Sequence, residues 1–170
     1  ICQLDSYLFY TSMLQTPLVV CEDRQRKENR PLVWVSVNGS ETIALTNKSF
    51  VNHNEINAVK GVLAKLRERH PDASIAVLTF YKGQLEEMMR ATPASLQVEI
   101  LTVDSSQGIE FDYVVLSPVR SNCHGNIGFV KDDRRINVAI SRSRYGLIVV
   151  GDDRTLCADR NWLAVRRACQ

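Results

Sequence analysis

The sequence predicts an α/β domain with a mainly parallel sheet and helices on both faces. Short, continuously apolar runs alternate with segments of helical spacing along the chain, and such runs are typical of strands that are buried on both sides. Neither an internal repeat nor a low-complexity segment interrupts this alternation. A chain of 170 residues with 45% hydrophobic residues matches the size and composition of one globular domain.

Local patterns predict the individual helices and strands. The first helix begins at Asn52, which stands three residues before Glu55 as in a capping box. The sequence His70-Pro71-Asp72 ends this helix. Its apolar stripe, with spacings of three and four, consists of Ile56, Val59, Leu63 and Leu66. The other predicted helices are Lys82 to Arg90, Asp133 to Arg144 and one from about Asp159, and the predicted strands are the run after Pro31, Ser74 to Phe80, Val98 to Val103, Tyr113 to Ser117 and Gly146 to Val150.

Composition excludes some kinds of protein and leaves others open. The net charge of +2 argues neither for nor against a nucleic-acid partner. No two of the five cysteines have zinc-ligand spacing, so no structural metal site is predicted. No apolar run approaches the ~20 residues that span a bilayer, and we expect an intracellular protein of the cytoplasm or nucleus. Residues 22–30 carry seven charges and predict a solvated surface loop. The first residues have neither an initiator Met nor a signal-peptide layout, and we expect a segment of a longer protein.

Polar side chains follow three predicted strands, at the positions where ligands of parallel sheets gather. Tyr81 follows one strand, residues 104–110 follow the next, and residues 120–122 and 132–144 follow the third. A tyrosine ring can stack on a base, a Gln-Gly pair lets a phosphate approach the backbone, and a guanidinium suits the charge of a γ-phosphate. Singly, these features are more often explained by packing, by a turn and by a solvated basic helix face than by ligand contacts.

The segment TVDSSQGIEFDYVVLSPVRSN, followed by GNIGFVKDDRRINVAISRSRYGLIVVGD, closely resembles motifs V and VI of superfamily 1 helicases of the nonsense-mediated-decay and senataxin-like branch. KSFVNHNEINAV and SIAVLTFYKGQ resemble the segments that precede these motifs, and ICQLDSYLFYTSML resembles the segment after motif III. The resemblance covers essentially the whole chain. It implies that residues 1–170 form the second, C-terminal RecA-like domain of a longer protein, with a three-layer fold.

The resemblance also implies a role for each matching residue. Arg142 would be the arginine finger on the γ-phosphate, with Arg135 and Arg144 in support. Tyr81 would stack on adenine, with Gln84 nearby. The residues that would face the ribose and phosphates are Gln107, Gly108 and Glu110, and those that would contact the phosphates of a nucleic-acid strand are Thr102, Asp104 and Ser105.

The function implied by the resemblance is that of an ATP-dependent, 5′→3′ RNA or DNA helicase. The chain contains neither a phosphate loop nor an acidic metal-binding pair after a strand. The Mg²⁺ ligands are therefore expected in the first RecA-like domain of the same protein, and the isolated domain is expected to be a monomer that hydrolyses no ATP. The expected partners are single-stranded RNA or DNA and the first domain, and no membrane.

His53 departs from the family pattern, because close relatives often have a second arginine at this place. A neutral imidazole is a weaker phosphate clamp than a guanidinium, and a polar residue in the first turn of a helix explains His53 equally well. The departure leaves a second function open, a degenerate helicase-like module that binds nucleic acid or a protein partner without hydrolysis. A dinucleotide-binding enzyme is not supported, because no glycine-rich turn follows a strand.

Overall fold

The computed structural model describes residues 32–44 and 49–169, so the predicted charged loop at residues 22–30 lies outside the described residues. The strands are β1 (Leu32–Ser36), β2 (Thr42–Ile43), β3 (Phe50–Val51), β4 (Ile75–Thr79), β5 (Glu99–Thr102), β6 (Phe111–Ser117) and β7 (Ser143–Gly151). The helices are α1 (His53–Arg69), α2 (Lys82–Ala91), α3 (Asp133–Ser141), α4 (Asp153–Leu156) and α5 (Arg160–Ala168). Short 3₁₀ turns lie at Ala94–Leu96, Asp104–Ser106 and Gly128–Lys131. In the described ranges, no helix combines the length and the apolar character that crossing a membrane requires.

Five parallel strands form the main sheet, in the order β1-β7-β6-β4-β5. In the centre, Ala76 of β4 lies opposite Glu99 of β5 and Val114 of β6. Because all neighbours in this sheet are parallel, each connection must cross a face of the sheet, and the helices lie in these crossovers. The predicted α/β fold with a mainly parallel sheet is confirmed. Strands β2 and β3 form a separate antiparallel pair.

Two apolar clusters cover the two faces of the sheet. The predicted stripe of α1 supplies Ile56, Val59 and Leu63 to the first cluster, and Leu66 packs half-buried beside them. The second cluster joins α3 and α5 to the opposite face, where Trp162 is fully buried. Fully burying a large apolar side chain stabilises a fold by about 1.5–3 kcal/mol, so both helical layers are held by their apolar faces.

The cap of α1 ties this helix to α2. The side-chain oxygen of Asn52 accepts hydrogen bonds from the backbone N–H groups of Asn54 and Glu55, both at 3.2 Å. In a capping box Glu55 would return a bond to the backbone N–H of Asn52. That N–H instead donates to the side-chain oxygen of Gln84 at 2.8 Å. The predicted cap is confirmed, but α2 supplies its second half.

Glu55 joins α1 to the end of β6. Its buried carboxylate accepts hydrogen bonds from the hydroxyl of Ser117 and from the backbone N–H of Val119. Val119 has a φ of +77°, which is rare for a β-branched residue, and Asn52 donates to its carbonyl at 3.1 Å. Burial disfavours the charged carboxylate, so the pKa of Glu55 is raised to about 8 although the two hydrogen bonds lower it.

The helix predicted over residues 133–144 ends earlier in the structure, because strand pairing begins there. Arg142 is the C-cap residue of α3, and β7 begins at the next residue, Ser143. Ser143 lies opposite Phe111 of β6, and the Phe111 N–H donates to the carbonyl of Arg142 at 2.9 Å. Arg144 therefore lies in a strand, and its prediction as a helical residue was wrong.

The substitution Glu55→Gln is expected to remove a pH dependence of stability. The pKa of Glu55 is higher in the folded state than its ordinary value, so the folded state binds the proton more tightly and loses stability as the pH rises from 4.5 to about 8. Over this interval the free energy of unfolding of the Gln variant should rise relative to wild type, by up to roughly 1 kcal/mol per pH unit. Urea denaturation at a series of pH values measures the difference. The control is Glu68→Gln, an exposed carboxylate on the same helix, and a difference for Glu55→Gln that does not change with pH would contradict the raised pKa.

Candidate functional site

The loops that follow β4, β5 and β6 lie side by side at one edge of the sheet, the carboxyl edge. Thr79, the last residue of β4, is in register with Thr102 at the end of β5 and with Ser117 at the end of β6. Tyr81 and Arg120 follow two of these strand ends. The structure thus brings together the first residues of three predicted site segments.

The ring of Tyr81 is almost completely covered by other side chains. Tyr81 is the N-cap residue of α2 and is 4% exposed. Phe50 contacts its ring edge-on at 5.4 Å between centroids, and Phe129 lies over it at 4.7 Å with 48° between the planes. Phe129 is 42% exposed and covers the ring from the solvent side. The stacking of Tyr81 on adenine stays a prediction, and in this arrangement it requires that Phe129 be displaced.

A buried ion pair lies beside Tyr81. The Nε and Nη2 atoms of Arg120 donate to the two carboxylate oxygens of Glu41 at 2.8 and 2.9 Å. Nη1 donates to the Tyr81 hydroxyl at 3.4 Å, and Cζ lies 4.5 Å from the centre of the Phe50 ring. Burial opposes the charge of Arg120, but its hydrogen bonds with Glu41 and Tyr81 leave its pKa above the ordinary value. No local pattern predicts this pair, because 79 residues separate its members in the sequence.

Arg135 links the start of α3 to the turn after β5. It donates through Nε and Nη2 to the two oxygens of Asp104 at 3.0 and 3.2 Å, and the hydrogen bonds with Asp104 raise its pKa. The guanidinium lies 5.0 Å from the centre of the Phe129 ring, a cation–π distance. Tyr81, Phe129, Arg135 and Asp104 therefore form one continuous line of contacts across the carboxyl edge.

The hydroxyls of Thr102 and Ser105 bond to each other in the turn after β5. Their oxygens are 2.8 Å apart, and the Ser105 oxygen also accepts from the backbone N–H of Thr102 at 3.0 Å. Ser105 is exposed and Thr102 half-buried. The predicted contact of these residues and of Asp104 with a nucleic-acid strand stays a prediction, and the turn that carries them faces solvent.

Residues 107–110 lead from this turn to the opposite, amino edge of the sheet. Gln107, Gly108 and Glu110 are all exposed. Gly108 has a φ of +81°, in the region that favours glycine, and no atom lies within 4 Å of the place where a side chain would begin. The loop therefore leaves open space at Gly108, as a close approach of a phosphate or sugar needs.

Arg142 lies at the other end of α3 from Arg135. Its Nε donates to the carbonyl of Val138 at 3.0 Å, Nη1 to the carbonyl of Ile109 at 3.3 Å and Nη2 to the hydroxyl of Ser141 at 2.8 Å. All three acceptors are uncharged. Arg144, in contrast, pairs with the Glu110 carboxylate at 3.2 Å.

The predicted site residues lie in two groups, one at each edge of the sheet, and not together at the carboxyl edge. α3 runs opposite to the strands it packs on, so Arg142 lies beside the amino ends of β6 and β7. Arg135 lies beside the carboxyl edge with Tyr81. The helix between Arg135 and Arg142 spans about 10 Å. Strand order alone did not predict this separation, because it depends on how far α3 extends along the sheet.

Gln84 and His53 occupy different surroundings from the other predicted residues. Gln84 is fully buried, and its amide nitrogen donates to the Asn52 carbonyl at 3.3 Å and to the Ser117 hydroxyl at 3.0 Å. Its side chain is therefore occupied in joining α1, α2 and β6, and a nucleotide contact stays a prediction that requires these bonds to break. His53 is exposed in the first turn of α1.

Sequence comparison relates the chain to a family of motor domains. The family model described as "AAA domain" matches residues 1–154. The chain is 35% identical to the "Regulator of nonsense transcripts 1 homolog" of Arabidopsis thaliana over 94% of its own length and 14% of that protein's. It is 30% identical to the "ATP-dependent helicase NAM7" of Saccharomyces cerevisiae over 94% of its own length and 18% of that protein's. The chain thus spans less than a fifth of these relatives.

Structural comparison agrees at the level of the fold. The crystal structure of the C-terminal domain of a possible DNA helicase from Lactobacillus plantarum WCFS1 matches with a TM-score of 0.50 at 13% sequence identity. The match covers 82% of this chain and 88% of that one. It supports the three-layer fold, with helices on both faces of a parallel sheet.

Loss of Arg120 is expected to destabilise the fold much more than loss of Arg135. Arg120→Met leaves the carboxylate of Glu41, 12% exposed, without its cation, and breaking such a buried pair costs about 3–5 kcal/mol. The Arg135–Asp104 pair is 37% and 65% exposed, so Arg135→Met should cost less than about 1 kcal/mol. Urea denaturation of the two variant chains measures both losses, and equal losses would contradict the difference in burial.

Proposed function

Because the chain belongs to the AAA-domain family and is related to the superfamily 1 helicases of nonsense-mediated decay, we propose that it is the C-terminal motor domain of an ATP-dependent RNA or DNA helicase. Arg142 acts as the arginine finger of an ATP site that is built mostly by a first RecA-like domain of the same protein. That first domain supplies the phosphate loop and the Mg²⁺ ligands. The domain described here hydrolyses no ATP by itself.

The proposal rests on one observation, that three arginines of this region differ in whether their hydrogen-bond acceptors are charged. Arg135 pairs with Asp104 and Arg144 pairs with Glu110, whereas Arg142 donates to neutral oxygens. Within residues 32–44 and 49–169, no carboxylate is recorded in an ion pair with Arg142. A guanidinium that holds carbonyl oxygens gains Coulomb attraction when these are exchanged for phosphate oxygens, because the phosphate is charged and matches its planar fork of donors. Of these three arginines, Arg142 is therefore the one whose hydrogen bonds an anion would replace most favourably.

The length of α3 supports a nucleotide that lies along this side of the domain. Tyr81 is linked through Phe129 to Arg135 at the start of α3, and Arg142 lies about 10 Å further along. An extended nucleoside triphosphate separates its base from its γ-phosphate by a comparable distance. The base would then lie near Tyr81, the γ-phosphate near Arg142, and the ribose and inner phosphates near the open loop at Gly108.

Single-stranded nucleic acid would contact the exposed turn after β5. Phosphate contacts from hydroxyls and backbone N–H groups hold a strand without reading its sequence, and Thr102 and Ser105 offer such groups. The carboxylate of Asp104 would repel phosphates if it were free, but Arg135 neutralises it. A strand bound at this turn would thus be connected to α3 through the Asp104–Arg135 pair.

Replacing Arg142 tests the proposed finger. In the longer protein that contains this domain, Arg142→Ala should reduce the ATPase kcat by roughly 10³–10⁵, as removal of other arginine fingers does. Arg142→Lys should also reduce the ATPase kcat strongly, because an ammonium keeps the charge but loses the planar fork of donors. Binding of a single-stranded oligonucleotide without nucleotide should change little. Steady-state ATPase assays and fluorescence anisotropy measure the two quantities.

Arg144→Ala is the matched control for this experiment, because it removes an arginine two residues away that already has a carboxylate partner. Its kcat should fall much less than that of Arg142→Ala. If Arg142→Ala keeps more than about a tenth of the wild-type rate, well above the range for a finger, the assignment is wrong. Retained nucleic-acid binding with no ATPase in the wild-type protein would instead support the degenerate binding module.

Tyr81→Ala is expected to raise KM for ATP and to leave kcat nearly unchanged. Stacking on a base contributes about 1–3 kcal/mol, and it acts equally in the ground state and the transition state, so the chemical step is not affected. The control is Phe80→Ala, which removes the neighbouring ring that packs edge-on against Trp162. Steady-state kinetics of both variants measure the effect, and an unchanged KM for Tyr81→Ala would identify Tyr81 as a packing residue.

A further inference from the structure

We infer that Arg120 and Glu41 are positioning residues that fix the ring of Tyr81 for contact with a nucleotide base. The inference rests on the proposed function, in which Tyr81 provides the base contact. Neither Arg120 nor Glu41 would touch the nucleotide. They act through the Tyr81 hydroxyl and through the Phe50 ring, and they determine where the aromatic surface lies.

Arg120 contacts both neighbours that define the orientation of Tyr81. Its Nη1 donates to the Tyr81 hydroxyl at 3.4 Å, and its Cζ lies 4.5 Å from the centre of the Phe50 ring. Phe50 in turn contacts the Tyr81 ring edge-on, at 5.4 Å and 81°. One guanidinium therefore holds the hydroxyl end of Tyr81 directly and its ring indirectly.

Glu41 holds Arg120 in this place. Its carboxylate accepts two bonds from Arg120 and further bonds from the Ser121 backbone N–H at 2.8 Å and the Asn122 side chain at 3.2 Å. With four donors directed at one carboxylate, the ion pair has a single favourable geometry. The segment between β1 and β2 is thereby joined to the loop after β6.

The backbone on either side confines Arg120 further. Val119, which precedes it, has the unusual φ of +77° and is held there through the Glu55 carboxylate and the Asn52 side chain. Gly128 passes so close that a Cβ at this residue would lie 2.6 Å from Nη1 of Arg120. The guanidinium therefore has little room to change its direction.

Such positioning matters because a base that stacks on Tyr81 would have to displace its other neighbour, Phe129. Phe129 lies over the Tyr81 ring and is 42% exposed, whereas Tyr81 is 4% exposed. A base that takes the place of Phe129 removes one of the groups that keep the ring in its orientation. Arg120 and Phe50 remain, so the base meets a ring whose orientation is already set, and the entropic cost of binding is lower.

Three conservative variants in the longer protein test this role: Tyr81→Phe, which removes only the hydroxyl, Arg120→Lys and Glu41→Gln. Each should raise KM for ATP roughly three- to tenfold, the size expected for the loss of one ordinary hydrogen bond, with kcat nearly unchanged. The equilibrium Kd for a non-hydrolysable ATP analogue, measured by calorimetry, should rise by the same factor. The Kd for inorganic tripolyphosphate, which has no base, should not change.

A double-mutant cycle separates positioning from a general loss of stability. If Arg120 acts through Tyr81, then Arg120→Lys should have little further effect on KM in the Tyr81→Ala background. The matched control is Arg67→Lys, an arginine that donates to backbone carbonyls of Leu96, Pro71 and Ala73 away from this site. It should lower the denaturation midpoint and leave both Kd values unchanged.

The possible outcomes distinguish this inference from the function on which it rests. If Tyr81→Ala raises KM but Arg120→Lys, Glu41→Gln and Tyr81→Phe do not, the positioning role is overturned and the base contact stands. If Arg120→Lys weakens tripolyphosphate binding as strongly as ATP binding, or adds fully to Tyr81→Ala, the ion pair acts on stability alone. If Tyr81→Ala leaves KM unchanged, the base contact itself is wrong, and the positioning role fails with it.

Discussion

The parallel pairing of β6 with β7 is the interaction on which the arrangement of the functional residues depends. Phe111 and Ser143 begin this ladder together, so the end of the loop at residues 107–110 and the end of α3 must meet at the same point. The contact between the carbonyl of Ile109 and the guanidinium of Arg142 follows directly. A shift of one residue in the ladder would turn every side chain of β7 to the opposite face, and neither the core nor this contact would survive it.

The two ends of α3 provide different electrostatic environments. At the carboxyl edge, Phe50 and Tyr81 flank a buried guanidinium whose charge is balanced by Glu41. At the amino edge, Arg142 keeps its charge among neutral acceptors. The proposal that a nucleotide lies along α3 rests on this difference, because a nucleotide has a flat base at one end and charged phosphates at the other.

Local spacing in the sequence predicts the layers of the fold, because apolar periodicity reports directly which side of a helix or strand is buried. The cap at Asn52 and the end of α1 at His70 are predicted from equally local signals, the capping-box spacing and the proline that follows His70. Features that depend on distant segments are not predicted. The end of α3 is determined by the pairing of β7 with β6, the amide of Gln84 is occupied by the cap of another helix, and Glu41 reaches its partner across 79 residues. The candidate site was thus predicted as a set of residues but not as a geometry.

The position of Arg142 between a helix and a strand has a mechanical consequence. The residue before Arg142 belongs to α3, and the residue after it belongs to the β6–β7 ladder. The backbone at Arg142 is therefore fixed on both sides and has no loop that a local rearrangement would use. The guanidinium moves independently only over the length of its own side chain. Any larger approach to an anion, or withdrawal from it, requires displacement of the domain as a rigid body. The orientation of the whole domain, rather than the fluctuation of a loop, therefore controls the distance between the Arg142 guanidinium and an anion that faces it.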